Sequence, residues 1–274
     1  MRDKFVMLFS FVLLVIIPAY AASPEQHDSV PTDTNSLQSV IDRANKGDPN
    51  AQCMLGEKYF HGKSIPRDYN EAIKWYTKTA EQGHADAQNN LGVMYSYGQG
   101  VSADYNEGTK WFSKAAAHGI ADAQNNLGYM YLNGRGVSHD CNEAIKWFTK
   151  GAEQGHMDSQ FALTMMYAGI ADCPQDHNES FKWCKKAAEQ GYAVAQCGLA
   201  VMYSEGIGVV ENYVEAYKWA VVAGMNGERV TKIKQDLAVK MTPGQIAEAE
   251  KLAGEFVSKK EKEKTGDANS TGIK

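Results

Sequence analysis

The most constraining feature of this sequence is the spacing of its tryptophans. The chain holds five, and each lies 36 residues after the one before it. They are Trp75, Trp111, Trp147, Trp183 and Trp219. Two further series, the glycines that start at Gly83 and the glutamines that start at Gln52, keep the same interval. A fixed period of this length is the signature of a repeat protein, in which each copy is one supersecondary unit.

The period divides most of the chain into five full repeats. They cover residues 49–84, 85–120, 121–156, 157–192 and 193–228. A half-repeat at residues 37–48 precedes them and is predicted to cap the N-terminal end of the array. Positions within a repeat are numbered 1 to 36 from the first residue of each copy, so that every tryptophan stands at position 27.

Each repeat is predicted to form two helices, A and B. In the second repeat, helix A runs from about residue 86 to 97 and helix B from about residue 105 to 118, with the loop GQGVSA between them. Asp104 and Glu107 predict a capping box, in which the two side chains satisfy free backbone amides at the start of helix B. Lys110 is spaced for an ion pair with Glu107 on a solvated face. Because all repeats carry this pattern, we interpret these charged residues as structural.

The two helices of one repeat cannot cover their own apolar face, so neighbouring repeats must stack. The glycine at position 35 suits the left-handed backbone that turns the chain into the next helix A. The buried face of helix A is predicted at positions 3, 7, 10 and 11, because these lie within one arc of a helix. The glutamine at position 4 falls on the same side and is expected to bind loop backbone. The tryptophan rings are expected to lie buried between repeats.

The string ADAQNNLGVMYSYGQGVSADYNEGTKWFSKAA, which begins at Ala85, resembles the Sel1-like repeat, a relative of the tetratricopeptide repeat. The resemblance covers about residues 49 to 228. It implies an all-α fold, a right-handed α/α solenoid of about five 36-residue helix–turn–helix repeats with flanking capping helices. The string KMTPGQIAEAEKLAGEFV, which begins at Lys240, resembles the helical cap of such arrays, so residues 229–257 are predicted to form C-terminal capping helices. The fourth repeat departs from the pattern, because its loop lacks the G-x-G of the others.

The face of helix A opposite the core, at positions 5, 9, 12 and 13, varies from repeat to repeat. In the tetratricopeptide relatives this face lines a concave groove that receives partner segments, and the resemblance implies the same use here. The predicted groove has an apolar middle and an asparagine edge. Its residues are Asn89, Val93, Ser96, Tyr97, Asn125, Tyr129, Leu132, Asn133, Phe161 and Met165. The alternative is that curvature of the array buries some of these residues, Phe161 and Met165 above all, against neighbouring helices.

The N-terminus has the three parts of a secretory signal peptide. Arg2 and Lys4 precede an apolar run at residues 5–17, and the sequence AYA then favours cleavage after Ala21. An uncleaved anchor is the alternative, but a run of 13 residues is short for a bilayer core that needs about 20. The mature chain is therefore predicted to be exported, to the periplasm or out of the cell.

Charge restricts the partners of the mature chain. Removal of residues 1–21 takes the formal charge from −5 to −6, because two of the three charged side chains removed are positive. Binding to nucleic acid or to an anionic membrane needs a basic footprint that such a chain lacks. We predict no nucleic-acid partner and no stable membrane insertion after signal cleavage. Residues 22–36 and 258–274 hold few large apolar groups and are predicted to form a flexible linker and a disordered polar tail.

The cysteines number five, an odd count, in a chain predicted to enter an oxidising compartment. Cys184 on helix B of the fourth repeat and Cys197 on the next helix A stand at similar distances from the chain reversal, so a disulfide between them is predicted. Cys141 and Cys173, in adjacent loops, are a second candidate pair. The alternative is that all five are small buried thiols. Cys173, His177 and Cys184 match no tight zinc-binding spacing, so neither a metal site nor a cofactor is predicted.

The sequence holds no common catalytic motif, such as H-E-x-x-H, G-x-S-x-G, a P-loop or an EF-hand. The carboxylates at Asp-x-x-Glu already have a capping role, so the protein is predicted not to be an enzyme. The leading hypothesis is an exported scaffold or adaptor that binds a partner protein or peptide in its groove, in envelope regulation or host interaction. The alternative is a cell-wall-directed enzyme, because cysteine-rich relatives of this repeat have been associated with β-lactamase or peptidoglycan-related activity.

Overall fold

The computed structural model describes residues 36–169, 173–227 and 230–270, without the side chains of Lys264 and residues 266–270. All thirteen secondary-structure elements in these ranges are α-helices, which agrees with the all-α prediction. The described chain divides after His156 into two compact units, called unit 1 and unit 2. The predicted signal peptide and residues 22–35 of the predicted linker lie outside the described residues.

Unit 1 contains the half-repeat and the first three repeats. Its helices are α1 (Leu37–Asn45), α2 (Pro49–His61), α3 (Tyr69–Ala80), α4 (Ala85–Tyr97), α5 (Tyr105–Ala117), α6 (Ala121–Asn133) and α7 (Cys141–Glu153). The A helices are α2, α4 and α6, and the B helices are α3, α5 and α7. Each helix packs against the next along the chain. The order of these elements agrees with the prediction, and the two helices whose bounds the sequence analysis gave, α4 and α5, agree with it to within one residue.

Unit 2 contains the last two repeats and the C-terminal helices. Its elements are α8 (Met157–Tyr167), α9 (His177–Glu189), α10 (Ala193–Glu205), α11 (Tyr213–Met225), α12 (Thr231–Ala238) and α13 (Pro243–Ser270). Helices α12 and α13 both pack against α11, so the segment predicted to form capping helices is helical. Helix α13 continues to Ser270, so the structure has a helix at residues 258–270, where the sequence predicted the start of a disordered tail. The lysines and glutamates of this segment are good helix formers, and Lys260 pairs with Glu263 at 2.9 Å.

The B helices begin at the predicted caps, but the capping box is only half formed. Asp104 Oδ1 accepts the backbone N–H groups of Asn106 at 2.9 Å and Glu107 at 3.1 Å. The carboxylate of Glu107 binds Lys110 Nζ at 2.5 Å instead of returning to the cap. The backbone N–H of Asp104 donates to the carbonyl of Tyr95 at 2.8 Å. In a complete capping box the glutamate would accept this N–H group, but here a backbone carbonyl of the preceding helix A accepts it.

The buried face of helix A lies where the sequence predicted it. In α4, Ala87, Leu91 and Met94 are fully buried, and their counterparts in α6 are buried as well. Position 8 of both helices is glycine, and a ring from helix B lies against it. A Cβ atom at Gly128 would stand 2.7 Å from Cδ1 of Phe148. The absence of a side chain at position 8 therefore lets the aromatic ring at position 28 approach the backbone of helix A.

The recurring glutamine at position 4 links consecutive repeats. Gln124 Nε2 donates to the carbonyl of Ala116 at 3.3 Å, and its Oε1 accepts from Gln154 Nε2 at 2.7 Å. The expected backbone contact is confirmed, although the acceptor is the end of a helix and not a loop. In the second repeat His118 replaces the glutamine at position 34, and Gln88 Oε1 is buried without a hydrogen-bond partner.

The second glycine of each G-x-G loop fixes one repeat against the one before it. The Cβ atom of any other residue at Gly136 would collide with the backbone carbonyl of Tyr105, the first residue of α5. Gly208 stands in the same relation to His177 in unit 2. The first repeat has Ser64 at this position, with a φ of 68°. Helix α1 begins at Leu37, four positions later in the repeat than the other B helices, so it lacks the turn against which the glycine packs.

The predicted disulfide between Cys184 and Cys197 is not formed, and both residues are thiols in the structure. Cys184 Sγ points at the backbone of the next helix and donates to the carbonyl of Ala195 at 3.3 Å. Cys53 is also a thiol. Cys141 and Cys173, the second candidate pair, are the two disulfide-bonded cysteines.

Candidate partner-binding site

The predicted groove face of unit 1 is partly closed. Asn89, Ser96 and Asn125 are buried, so the expectation that Asn89 and Asn125 form an open rim is wrong. The amide of Asn126 donates to Asn89 Oδ1 at 3.2 Å, which ties α6 to α4. Asn89 therefore serves the stack of repeats, and Ser96 Oγ is buried without a hydrogen-bond partner.

The apolar middle of this face in unit 1 is half-buried. Val93, Tyr129 and Leu132 all keep part of their side chain accessible. The ring of Tyr129 meets the ring of Phe148 edge to face, with centroids 4.9 Å apart. Since Phe148 is fully buried, the core of the repeat fixes the orientation of Tyr129. These residues offer a preformed but shallow surface.

The accessible part of the face lies at the C-terminal ends of the A helices. Tyr97 is 53% exposed, and Asn133, the residue at the same position in α6, is exposed too. Asn133 Nδ2 donates to the carbonyl of Tyr129 at 3.0 Å. Two residues that the groove prediction missed lie beside this end, Tyr105 at the start of α5 and Arg135 in the loop after α6. A search of one helix face could not find them, because they belong to other elements.

The predicted groove residues of unit 2 are in its interior. Phe161 is 4% exposed and Met165 is 9% exposed. The ring of Phe161 packs on that of Tyr192, with centroids 5.3 Å apart. The alternative stated from the sequence, that these two residues are buried, is therefore the one that the structure supports.

The titratable groups give little sign of catalytic chemistry. Burial raises the pKa of the Cys53 thiol to about 12, and burial also raises the pKa of Cys184. Both thiols are therefore protonated and unreactive near neutral pH. The hydrogen bond between Asp122 and His156, 2.9 Å long, lowers the pKa of Asp122. This pair joins the first turn of α6 to the last residue of the third repeat.

Two shallow depressions lie away from the A-helix face. One, of about 790 Å³, is in unit 1 and is lined by residues of α5, including Trp111, and by the loop around Val137. The other, of about 680 Å³, is in unit 2 between α11 and α12. Among the described helices none combines the length and the apolar character needed to cross a lipid bilayer.

Five tandem helix pairs, each with the recurring glutamine and with an aspartate or asparagine cap on helix B, define a class, the all-α helical-repeat proteins. The Sel1 repeat family matches residues 49–84, 85–120, 121–156, 158–192 and 193–228. The chain therefore belongs to the Sel1-repeat family. No curated protein sequence matches it.

Two solved structures extend this result. A protein from uropathogenic Escherichia coli, c5321, described as a protective antigen with an SLR fold, is 33% identical with a TM-score of 0.71, over 84% of this chain and 50% of the antigen. A Sel1 repeat protein from Oxalobacter formigenes is 28% identical with a TM-score of 0.67, over 79% of this chain and 92% of that protein. The alignment thus spans half the length of the E. coli antigen.

Membership of the family has functional meaning at a general level. Sel1 repeats form helical scaffolds that typically mediate protein–protein interactions, and the family is generally non-catalytic. A protein partner is therefore the class of ligand that the fold supports.

Proposed function

We propose that this protein is an exported scaffold that binds a segment of a partner protein on the A-helix face of unit 1. The observation that carries the proposal is the change of burial along this face. Asn89 and Asn125 are buried, Val93 and Leu132 are half-buried, and Tyr97 is 53% exposed. A partner would contact the accessible end, where an aromatic ring and an amide stand beside half-buried apolar groups.

Tyr97 is a large side chain that the stack of repeats leaves exposed. A large exposed apolar side chain on an otherwise packed helix is the informative exception to hydrophobic burial. Tyrosine is also enriched among the residues that dominate protein interfaces. On the same face of α4, Asn89 is buried and bonded to the next repeat, whereas more than half of Tyr97 remains accessible to a partner.

Export to the periplasm or the outside of the cell is part of the proposal. Its support is the three-part pattern at residues 1–21. The description of the E. coli relative as a protective antigen favours a location accessible from outside the cell. Envelope regulation and host interaction are the two settings that suit such a scaffold. Mass determination of the protein recovered from the periplasm and the medium tests export, with a mature chain starting at Ala22 as the expected result.

A differential capture experiment tests the binding face. The mature protein, a Tyr97→Ala/Leu132→Ala variant and a Val239→Ala control are used as baits on an envelope extract. Val239 is 89% exposed in unit 2, so its replacement removes apolar surface without touching the face. A partner captured by the wild type is then purified, and its affinity for the three baits is measured by titration calorimetry.

The expected result is an affinity at least tenfold weaker for the double variant and unchanged for the control. Circular dichroism must show equal helicity for all three proteins. Equal affinities of the double variant and the wild type would move the site away from α4 and α6.

A further inference from the structure

The exposed apolar side chains of unit 1 are concentrated at one point. Tyr97, 53% exposed, and Tyr105, 39% exposed, are the most exposed large hydrophobic side chains in the described part of unit 1. They come from different elements, the end of α4 and the start of α5. Arg135, which is exposed, comes from a third element, the loop between α6 and α7. We call these three residues the Arg135 patch.

The arginine of this patch is held in place. The Arg135 guanidinium carbon lies 5.2 Å from the centroid of the Tyr105 ring. The backbone carbonyl of Arg135 accepts a hydrogen bond from Thr109 Oγ1 at 3.1 Å, and Gly136 packs against the backbone of Tyr105. The loop is therefore fixed on α5. The charge of Arg135 also acts on Tyr97, where it opposes the rise in pKa that burial causes.

No carboxylate within the described residues neutralises Arg135. Arg43 shows what a satisfied arginine looks like in this chain, because its Nε and Nη2 both donate to Asp48 Oδ2, at 2.8 and 2.6 Å. The acids that flank the Arg135 patch along the chain, Asp104 and Asp140, instead accept backbone N–H groups at the starts of α5 and α7. An arginine stacked on a tyrosine keeps its in-plane donors available to an incoming acid.

We propose that the Arg135 patch docks an acidic segment of the partner protein, an inference that rests on the proposed function. A carboxylate of the segment accepts hydrogen bonds from the Arg135 guanidinium in a charge-assisted pair. A neighbouring aromatic or aliphatic side chain of the segment packs on Tyr97 and Tyr105. Arginine and tyrosine are among the residues that most often supply the binding energy of an interface.

The loop of the last repeat has no cation at the position of Arg135, which indicates that binding of an acidic segment is specific to unit 1. Ile207 takes the position of Arg135, Glu205 takes that of Asn133, and Glu211 takes that of His139. This loop of unit 2 thus presents negative charge where unit 1 presents a cation. An acidic segment would be repelled there.

A peptide array tests the proposal with a defined probe. The mature protein is applied to immobilised random dodecamers, and the strongest binders are resynthesised with a fluorescent label, each as a parent and as a version with Glu→Gln and Asp→Asn. Dissociation constants are measured by anisotropy for the wild type, Arg135→Gln, Arg135→Lys and the control Lys251→Gln. Lys251 is an exposed residue of α13, so its change alters the net charge by the same amount at another place.

The proposal expects selected peptides rich in aspartate or glutamate. Their affinity should fall at least tenfold with Arg135→Gln and to a smaller extent with Arg135→Lys, because lysine lacks the planar fork. Neutralised peptides should bind as weakly to the wild type as the parents do to Arg135→Gln, and Lys251→Gln should change nothing. Selection of neutral or basic peptides, equal losses for Arg135→Gln and Lys251→Gln, or no selection at all would overturn it.

The same measurement separates this inference from the proposed function. Peptides whose affinity depends on Tyr97 and Leu132 but not on Arg135 would support the proposed binding face. They would contradict the inference that the partner segment is acidic. Acidic peptides whose affinity depends on Arg135 but not on Leu132 would place the contact on the loop. They would contradict the proposal that the partner binds the A-helix face.

Discussion

Units 1 and 2 are built from the same repeat but fill its core with different pairs of residues at positions 8 and 28. In unit 1, position 8 is always glycine and position 28 is always a large aromatic residue, as at Gly128 and Phe148. In unit 2 the pairs are Thr164 with Cys184 and Ala200 with Ala220. The hydrogen bond from Ser180 Oγ to the carbonyl of Thr164, 2.8 Å long, joins the two helices there. In unit 2, helix A therefore has a side chain at position 8, and helix B has a small residue instead of an aromatic ring at position 28.

The tryptophan at position 27 changes its burial in parallel. Trp75, Trp111 and Trp147 are half-buried, whereas Trp183 and Trp219 are 5% and 3% exposed. Trp219 packs on Phe256 of α13, with ring centroids 5.0 Å apart. In unit 1 the ring at position 28 fills the core and the tryptophan lies at its edge. The difference teaches that the family period fixes the backbone, and that cores tolerate volume exchange between paired positions.

The largest expected effect comes from removing the unit 1 ring. Phe148→Ala should lower the free energy of unfolding by about 3 to 5 kcal/mol, because a fully buried ring is replaced by a cavity. The matched change in unit 2, Cys184→Ala, removes one buried sulfur atom and should cost about 1 kcal/mol. Chemical denaturation followed by circular dichroism measures both. Equal losses would mean that the two cores are filled in the same way.

A swap between the units tests the pairing directly. Gly128→Ala should destabilise unit 1 by about 1 to 2 kcal/mol, because crowding against the Phe148 ring outweighs the gain in helix propensity of about 1 kcal/mol. In the double variant Gly128→Ala/Phe148→Cys, which imports the unit 2 type of pair, the alanine should cost nothing. A double-mutant cycle should therefore give a coupling energy of about 1 to 2 kcal/mol. A coupling near zero would show that the two positions are independent.

The smallest effect concerns a hydrogen bond within the third repeat and disappears in acid. The hydrogen bond with His156 lowers the pKa of Asp122 in the folded state. Its stabilisation is therefore present above the unfolded pKa of about 3.9 and is lost as pH falls through the lower folded value. Denaturation of the wild type and Asp122→Asn should show a difference at pH 6 that closes below about pH 3. Asp158→Asn is the control, since Tyr192 replaces the histidine there, and a gap of Asp122→Asn that persists in acid would contradict the expectation.

The repeat frame was predictable from sequence because it depends on local rules repeated five times. Aspartate caps, glycines with positive φ and the core positions of helix A all lie where the period placed them. The tryptophan was a weaker guide, because its burial depends on what position 28 contributes. Read one residue at a time, Trp147 and Trp183 look equivalent. Only their neighbours Phe148 and Cys184 distinguish them.

The candidate site was less predictable, for a geometric reason. A helical-wheel projection ranks residues on one helix, but Tyr97, Tyr105 and Arg135 come from three elements. The projection also treats Asn89 and Phe161 as equally open, whereas packing between helices buries both. The Cys184–Cys197 disulfide failed similarly, because spacing along the chain does not show that Cys184 Sγ points at a backbone carbonyl.

Ser64 carries a consequence for how such a chain can change its length. In each internal repeat whose loop is described, a glycine lies against the backbone carbonyl at the start of helix B in the repeat before it. A duplicated internal repeat would carry this glycine with it. A copy of the first repeat inserted further along would bring Ser64, and its side chain would collide at the junction. The protein can therefore grow from its middle by gene duplication, while its first copy is suited only to be first.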